Sequence, residues 1–138
     1  MKKTILSTIA LFLLIVATSV MSLAQVDVTA TGGTPSASYT TVKGAFDAIN
    51  AGTHTGVITL SLSGNTTETA SAVLNASGSG SASYTTITIS PSGGAARSIS
   101  GSIIGYLIDF NGADNVTIDG LNTGGNSLTI TNFSPGVT

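Results

Sequence analysis

Aliphatic and small polar residues alternate along this chain, and one version of the alternation returns. Ile58-Thr59-Leu60-Ser61 is echoed by Ile87-Thr88-Ile89-Ser90 and by Val116-Thr117-Ile118-Asp119, at an interval of 29 residues each time. A two-residue period sends alternate side chains to opposite faces of a strand, so each copy predicts a strand with one buried face. A strand that returns at a short fixed interval predicts repeated units that bury their apolar faces on one another. Ile58 would then lie over Ile87 over Val116, and Leu60 over Ile89 over Ile118. Full burial of each such side chain is worth about 1.5–3 kcal/mol before entropy is counted. The predicted class is all-β, with two or three short strands per repeat stacked as a parallel β-helix. A β-sandwich is the alternative, because short strands at regular spacing suit it as well.

Other stretches fill in the repeat. Residues 26–29 alternate briefly and predict a first short strand, broken by Gly32-Gly33-Thr34-Pro35, with residues 36–39 continuing as loop. Val42, Ala45, Phe46 and Ile49 then fall three and four apart, the single apolar stripe of a helix. Thr40 or Thr41 can cap its start, and Gly52 stands where a helix end needs a positive φ. Gly44 weakens this helix by roughly 1 kcal/mol relative to alanine, so it should persist only by packing. Its place before the first repeat suits a plug over exposed strand edges, with Phe46 as the plugging side chain. Downstream, residues 72–74 form a short apolar piece and residues 75–83 a Gly/Ser/Ala loop. Pro91 should end the second copy, since proline cannot donate to a ladder. Ile99 and Ile103 alternate around Gly101, residues 107–110 predict a strand, Asn111-Gly112 a turn, and Leu128 and Ile130 a further face.

The amino terminus changes the picture of where the protein works. Lys2 and Lys3 precede a mostly apolar run from Ile5 to Val20, and Ser22-Leu23-Ala24 places small residues at the two positions a signal peptidase reads. This predicts a signal peptide over residues 1–24, cleavage after Ala24 and a secreted or cell-surface protein. A membrane anchor is the rival, but no basic stop-transfer cluster follows. The expected division is then 25–56 for the first strand and capping helix and 57–138 for the first turns of the β-helix. With few repeats and no closing cap, the chain reads as the front of a longer protein.

Only 7% of residues are charged, against roughly 25% in an ordinary soluble domain, and serine, threonine and glycine fill the difference. After cleavage, Lys43 and Arg97 face six acids, a net charge of −4. That balance excludes nucleic acid, whose phosphates demand bases. The absence of cysteine removes disulfides and thiolate metal sites.

Two segments also carry a family likeness. Tyr39-Thr40-Thr41-Val42-Lys43-Gly44-Ala45-Phe46-Asp47-Ala48-Ile49-Asn50 and Asn115-Val116-Thr117-Ile118-Asp119-Gly120-Leu121 resemble the start of secreted right-handed parallel β-helix proteins of the pectin-lyase-like group. The resemblance implies a right-handed solenoid with an N-terminal capping helix, on a bacterial surface protein. Its members include polysaccharide lyases and glycoside hydrolases.

Candidate chemistry is sparse. Glycoside hydrolysis usually takes two positioned carboxylates, yet in the repeat register Asp119 stands over Ser90 and Ser61, and Asp114 over Thr85 and Gly56. Lys43 falls on the helix and Arg97 stands alone. Asp109, Asp114 and Asp119 are the nearest approach to a calcium cluster, but Asp and Asn are ordinary turn formers. His54 reads as a solvated loop histidine and Glu68 as a lone surface acid. Gly32-Gly33, Gly93-Gly94 and Gly124-Gly125 lack the setting of a phosphate cradle. Tyr39, Tyr84 and Tyr106 could stack sugars but share no register. No catalytic, cofactor or metal residue is therefore nominated. The expected function is a structural or adhesive segment whose partners are extracellular polysaccharide or other cell-surface components. The alternative is the amino-terminal part of a carbohydrate-active enzyme whose active face lies beyond residue 138.

Overall fold

The computed structural model describes residues 23–134 and residue 136. The predicted signal peptide lies, up to residue 22, outside the described residues. Among the described residues, ten strands and one helix follow in the order β1 (Val26–Gly33), β2 (Ser36–Tyr39), α1 (Val42–Asn50), β3 (His54–Leu62), β4 (Thr66–Glu68), β5 (Ala72–Asn75), β6 (Tyr84–Pro91), β7 (Ala96–Gly101), β8 (Ile108–Asn111), β9 (Val116–Ile118) and β10 (Ser127–Asn132).

The strands form three small sheets. The largest is five-stranded, in the order β2-β1-β3-β6-β9; the second is β10-β7-β4; the third is the pair β5-β8. The expected right-handed parallel β-helix is thereby corrected. None of these sheets is a solenoid, and the largest is mixed, because β1 runs antiparallel to both β2 and β3. The physical reason lies in the connections. Paired residues are 29 apart from β3 to β6 and from β6 to β9, as Ile58↔Ile87↔Val116 shows. In the second sheet the partners are Thr66, Ile99 and Ile130, and in the third Leu74 and Phe110, so the interval there runs from 31 to 36 residues. Loops of unequal length separate the strands, and a single period describes one sheet alone. The sandwich alternative fits the inward facing of several sheets on one core, but its antiparallel pairing between strands occurs only around β1.

Within the first sheet the expected rungs are present. Ile58 and Leu60 lie beside Ile87 and Ile89, and these beside Val116 and Ile118. The buried core joins them to Val26, Val28, Leu62, Leu74 and Ile99, with Phe46 and Ile49 contributed by α1. Pro91 is the last residue of β6, as its missing N–H requires. Residues 36–39, expected as loop, instead form β2, whose register with β1 runs from Val26↔Tyr39 to Thr29↔Ser36.

The helix ends show why so short a segment holds. Thr41 is the N-cap, and its hydroxyl accepts a hydrogen bond from the Gly44 N–H at 3.0 Å. At the far end Thr53 N–H donates to Ala48 O and Gly52 N–H to Ile49 O, the pair of bonds that closes a helix through a left-handed residue. Gly52 is that residue, with φ of 75°. A Cβ there would also sit 2.8 Å from the Ser81 carbonyl oxygen, so glycine is required twice over. Val42, Ala45, Phe46 and Ile49 are all buried, as the stripe predicts. The Phe46 ring lies 6.4 Å from that of Phe110 on β8. Among the described residues, no helix is long and apolar enough to cross a membrane.

Candidate functional site

Most residues that could carry chemistry are occupied by the framework. Glu68 was expected on the surface; it is 2% exposed. It occupies an inward position on β4, and its two carboxylate oxygens accept hydrogen bonds from Val42 N–H at 2.9 Å and Lys43 N–H at 3.0 Å. These are the first two amides of α1, which have no partner within the helix. A carboxylate also suits the positive end of the helix dipole. Together Glu68 and Thr41 satisfy Val42, Lys43 and Gly44, and Ala45 N–H then makes the first intrahelical bond, to Thr41 O.

His54 is likewise corrected. It is fully buried rather than solvated. Its Nδ1 is 2.6 Å from the Thr34 carbonyl oxygen and its Nε2 2.7 Å from the Tyr39 hydroxyl. A carbonyl oxygen only accepts, so Nδ1 carries a proton and donates to Thr34 O, and Nε2 shares a hydrogen bond with the Tyr39 hydroxyl. The two rings meet edge to face at 5.8 Å. Burial pushes the Tyr39 phenol above its usual range. Tyr84 is pushed up as well, by burial first and by the charge of Asp114 second, against a hydrogen bond involving the Ser77 backbone. Its hydroxyl donates to Asn75 O at 2.6 Å. Tyr84, 6% exposed, offers no free face for stacking, and Tyr39 is half-buried.

The three aspartates do not converge. Asp109 lies in β8 beside Val73, Asp114 precedes β9, and the Asp119 carboxylate accepts from Leu121 N–H at 2.8 Å in a local turn. Leu121 and Asn122 adopt positive φ there, at 58° and 48°, which the short aspartate bond helps to hold. Among the described residues, no three His, Cys, Asp or Glu side chains approach closely enough to share a metal ion. Lys43 pairs with Asp47 one helical turn on, at 2.6 Å and in contact with water, where such pairs contribute little. The Arg97 Nε donates to Ser92 O at 3.1 Å.

An open cleft of about 410 Å³ is lined by Ile103, Gly105, Tyr106, Asn132, Ser134 and Gly136. Tyr106 is 72% exposed there. The Asn132 amide, the polar group a ligand would seek, is already engaged. Its nitrogen donates to the carbonyls of Ile103 and Gly105, and its oxygen accepts from Ile103 N–H and Ser134 N–H. The cleft therefore offers an aromatic surface and little hydrogen-bonding capacity.

A different feature stands out by contrast. Inward positions on β8, β9 and β10 continue the buried rows, yet they are open: Phe110 follows Leu74, Ile118 follows Ile89 and Ile130 follows Ile99. Their exposures are 40%, 38% and 42%, where each predecessor is fully buried. The sequence places Ile118 in a stacked row and Ile130 on a further face, because alternation reports which face a residue takes and not whether a neighbour covers it.

No family model matches the chain, and no curated protein or solved structure matches it either.

Proposed function

We propose that this chain is a structural or adhesive segment of an exported surface protein, without catalysis of its own. One observation carries the reading: the buried ionisable side chains are committed to architecture. Both oxygens of Glu68 hold the start of α1, and both ring nitrogens of His54 hold Thr34 and Tyr39. A general acid or base must reach a substrate proton through an available atom, and these atoms are taken. Outside the core, the sheet carries rows of hydroxyls, with Thr59 beside Thr88 and Ser61 beside Ser90. Such rows give a polar exterior that neither titrates nor donates charge. Extracellular polysaccharide and other surface components are the partners such an exterior suits.

The test is direct. The folded chain is incubated with pectin and other polyuronides and with neutral polysaccharides, and reducing ends and unsaturated products are followed. No product above the buffer rate is the expected outcome. Release of either kind of product, lost on substitution of a named acid or base, would overturn the proposal.

A further inference from the structure

The fold takes hold of the chain at the residue that follows the expected cleavage point. Leu23 is 75% exposed, Ala24 is exposed as well, and neither belongs to a strand. Gln25 is half-buried and held on two sides. Its N–H donates to Tyr39 O at 2.8 Å, and its carbonyl oxygen accepts from Ser63 N–H at 3.0 Å and Gly64 N–H at 3.2 Å. Its carboxamide lies over Gly64, where a Cβ would come within 2.8 Å of the Gln25 Cδ. Glycine at 64 therefore leaves the Gln25 side chain its room.

A chain that begins at Gln25 meets these partners with an α-amine, which is mostly an ammonium at neutral pH. An ammonium brings a full charge, and more N–H groups than the one acceptor at Tyr39 can take, beside the fully buried Val26. The nearest acid along the chain, Asp27, accepts from the Ser38 hydroxyl at 2.6 Å. A lactam instead presents a single amide N–H, which is what a strand ladder takes.

We infer that the exported chain carries a pyroglutamyl group at Gln25, a modification made from its own side chain. The inference rests on export with cleavage after Ala24. The freed α-nitrogen attacks Cδ of the carboxamide; the N–Cδ bond forms, the Cδ–Nε2 bond breaks, and Nε2 leaves as ammonia with a proton from the amine. No oxidant or reductant is needed. Tyr39, Ser63 and Gly64 bond only backbone atoms of Gln25, so all three hydrogen bonds persist after closure. The product loses its terminal charge and offers no free amine to an aminopeptidase, which suits a segment displayed outside the cell.

The full chain, leader included, is produced in an exporting bacterial host and quenched in acid at harvest. Trypsin then releases the peptide from Gln25 to Lys43, the first base of the cleaved chain, for tandem mass spectrometry. The expected peptide is lighter than its sequence mass by one ammonia, resists amine labelling and loses its first residue to pyroglutamyl aminopeptidase. Gln25→Ala should be cut at the same place and carry a free, labelled amine. The uncyclised form, freshly released from a fusion by protease, should unfold at a lower denaturant concentration than the cyclised one. A Gln25 terminus of full mass, a loss of ammonia that appears only on storage, or an uncyclised form that unfolds at the same or higher denaturant would overturn the inference and leave export standing. A retained leader or a cut elsewhere would overturn both, and the mass tells the two failures apart.

Discussion

The two sides of this molecule use the same strand chemistry and finish it differently. On the side of α1, β1 lies along β3, Glu68 closes the helix start, and Asn50 supplies β5 with an acceptor and a donor in place of a neighbouring strand. On the side of β8, β9 and β10, the same alternation of aliphatic and hydroxyl residues ends in half-exposed side chains. The difference teaches that register and burial are separate achievements. Register follows from alternation within a strand. Burial depends on what the chain places next to it.

The sharpest way to probe this contrast is to make one substitution on each side. Ile89→Ala empties a fully buried position and should cost about 2–5 kcal/mol, whereas Ile118→Ala, one strand further on, should cost well under half of that. Denaturant titration of monomer at low concentration measures both; equal losses would mean that Ile118 is as enclosed as Ile89. Next in size is Glu68→Ala, which leaves Val42 N–H and Lys43 N–H without acceptors beneath the helix. A loss of about 1–3 kcal/mol is expected, and Glu68→Gln, which keeps one acceptor oxygen, should lose less. An unchanged midpoint in both variants would remove the carboxylate from the account of the closed side. The smallest effect is a gain. A Cβ at Gly44 meets Thr41 Oγ1 at 3.4 Å and Tyr39 Cδ1 at 3.6 Å, ordinary contacts, so Gly44→Ala should stabilise the helix by about 0.4–1 kcal/mol. A lower midpoint would show that Tyr39 cannot yield even slightly.

Much of the closed side was legible in the residues, and the reasons are local. The stripe from Val42 to Ile49, the threonine cap and the glycine after the helix act within one or two turns of chain, and all three are observed. The rungs of the first sheet were legible because their spacing is constant. What escaped depends on distant partners. Thr66-Thr67-Glu68 is wholly polar, so nothing marked it as a strand whose acid turns inward to a helix 25 residues earlier. His54 sits between threonines, and its ring nitrogens find their partners in the distant Tyr39 and Thr34. The second and third sheets pair at unequal intervals, which hides them from any search at one period, and this is also why a uniform tube was the wrong expectation. For the candidate site, turn chemistry describes Asp119, whereas Asp109 is a residue of β8, and the uncovered edge was not readable.

The hairpin of β1 and β2 has a consequence for the order of assembly. Its strands pair from Thr29↔Ser36 to Val26↔Tyr39, so these contacts close short loops at small entropic cost. Later strands must each find a ledge already in place. Folding is therefore expected to advance in one direction, from Val28 toward Ile130, and pulsed hydrogen exchange should register amide protection in that sequence. A chain that emerges amino end first thus carries its own starting mould.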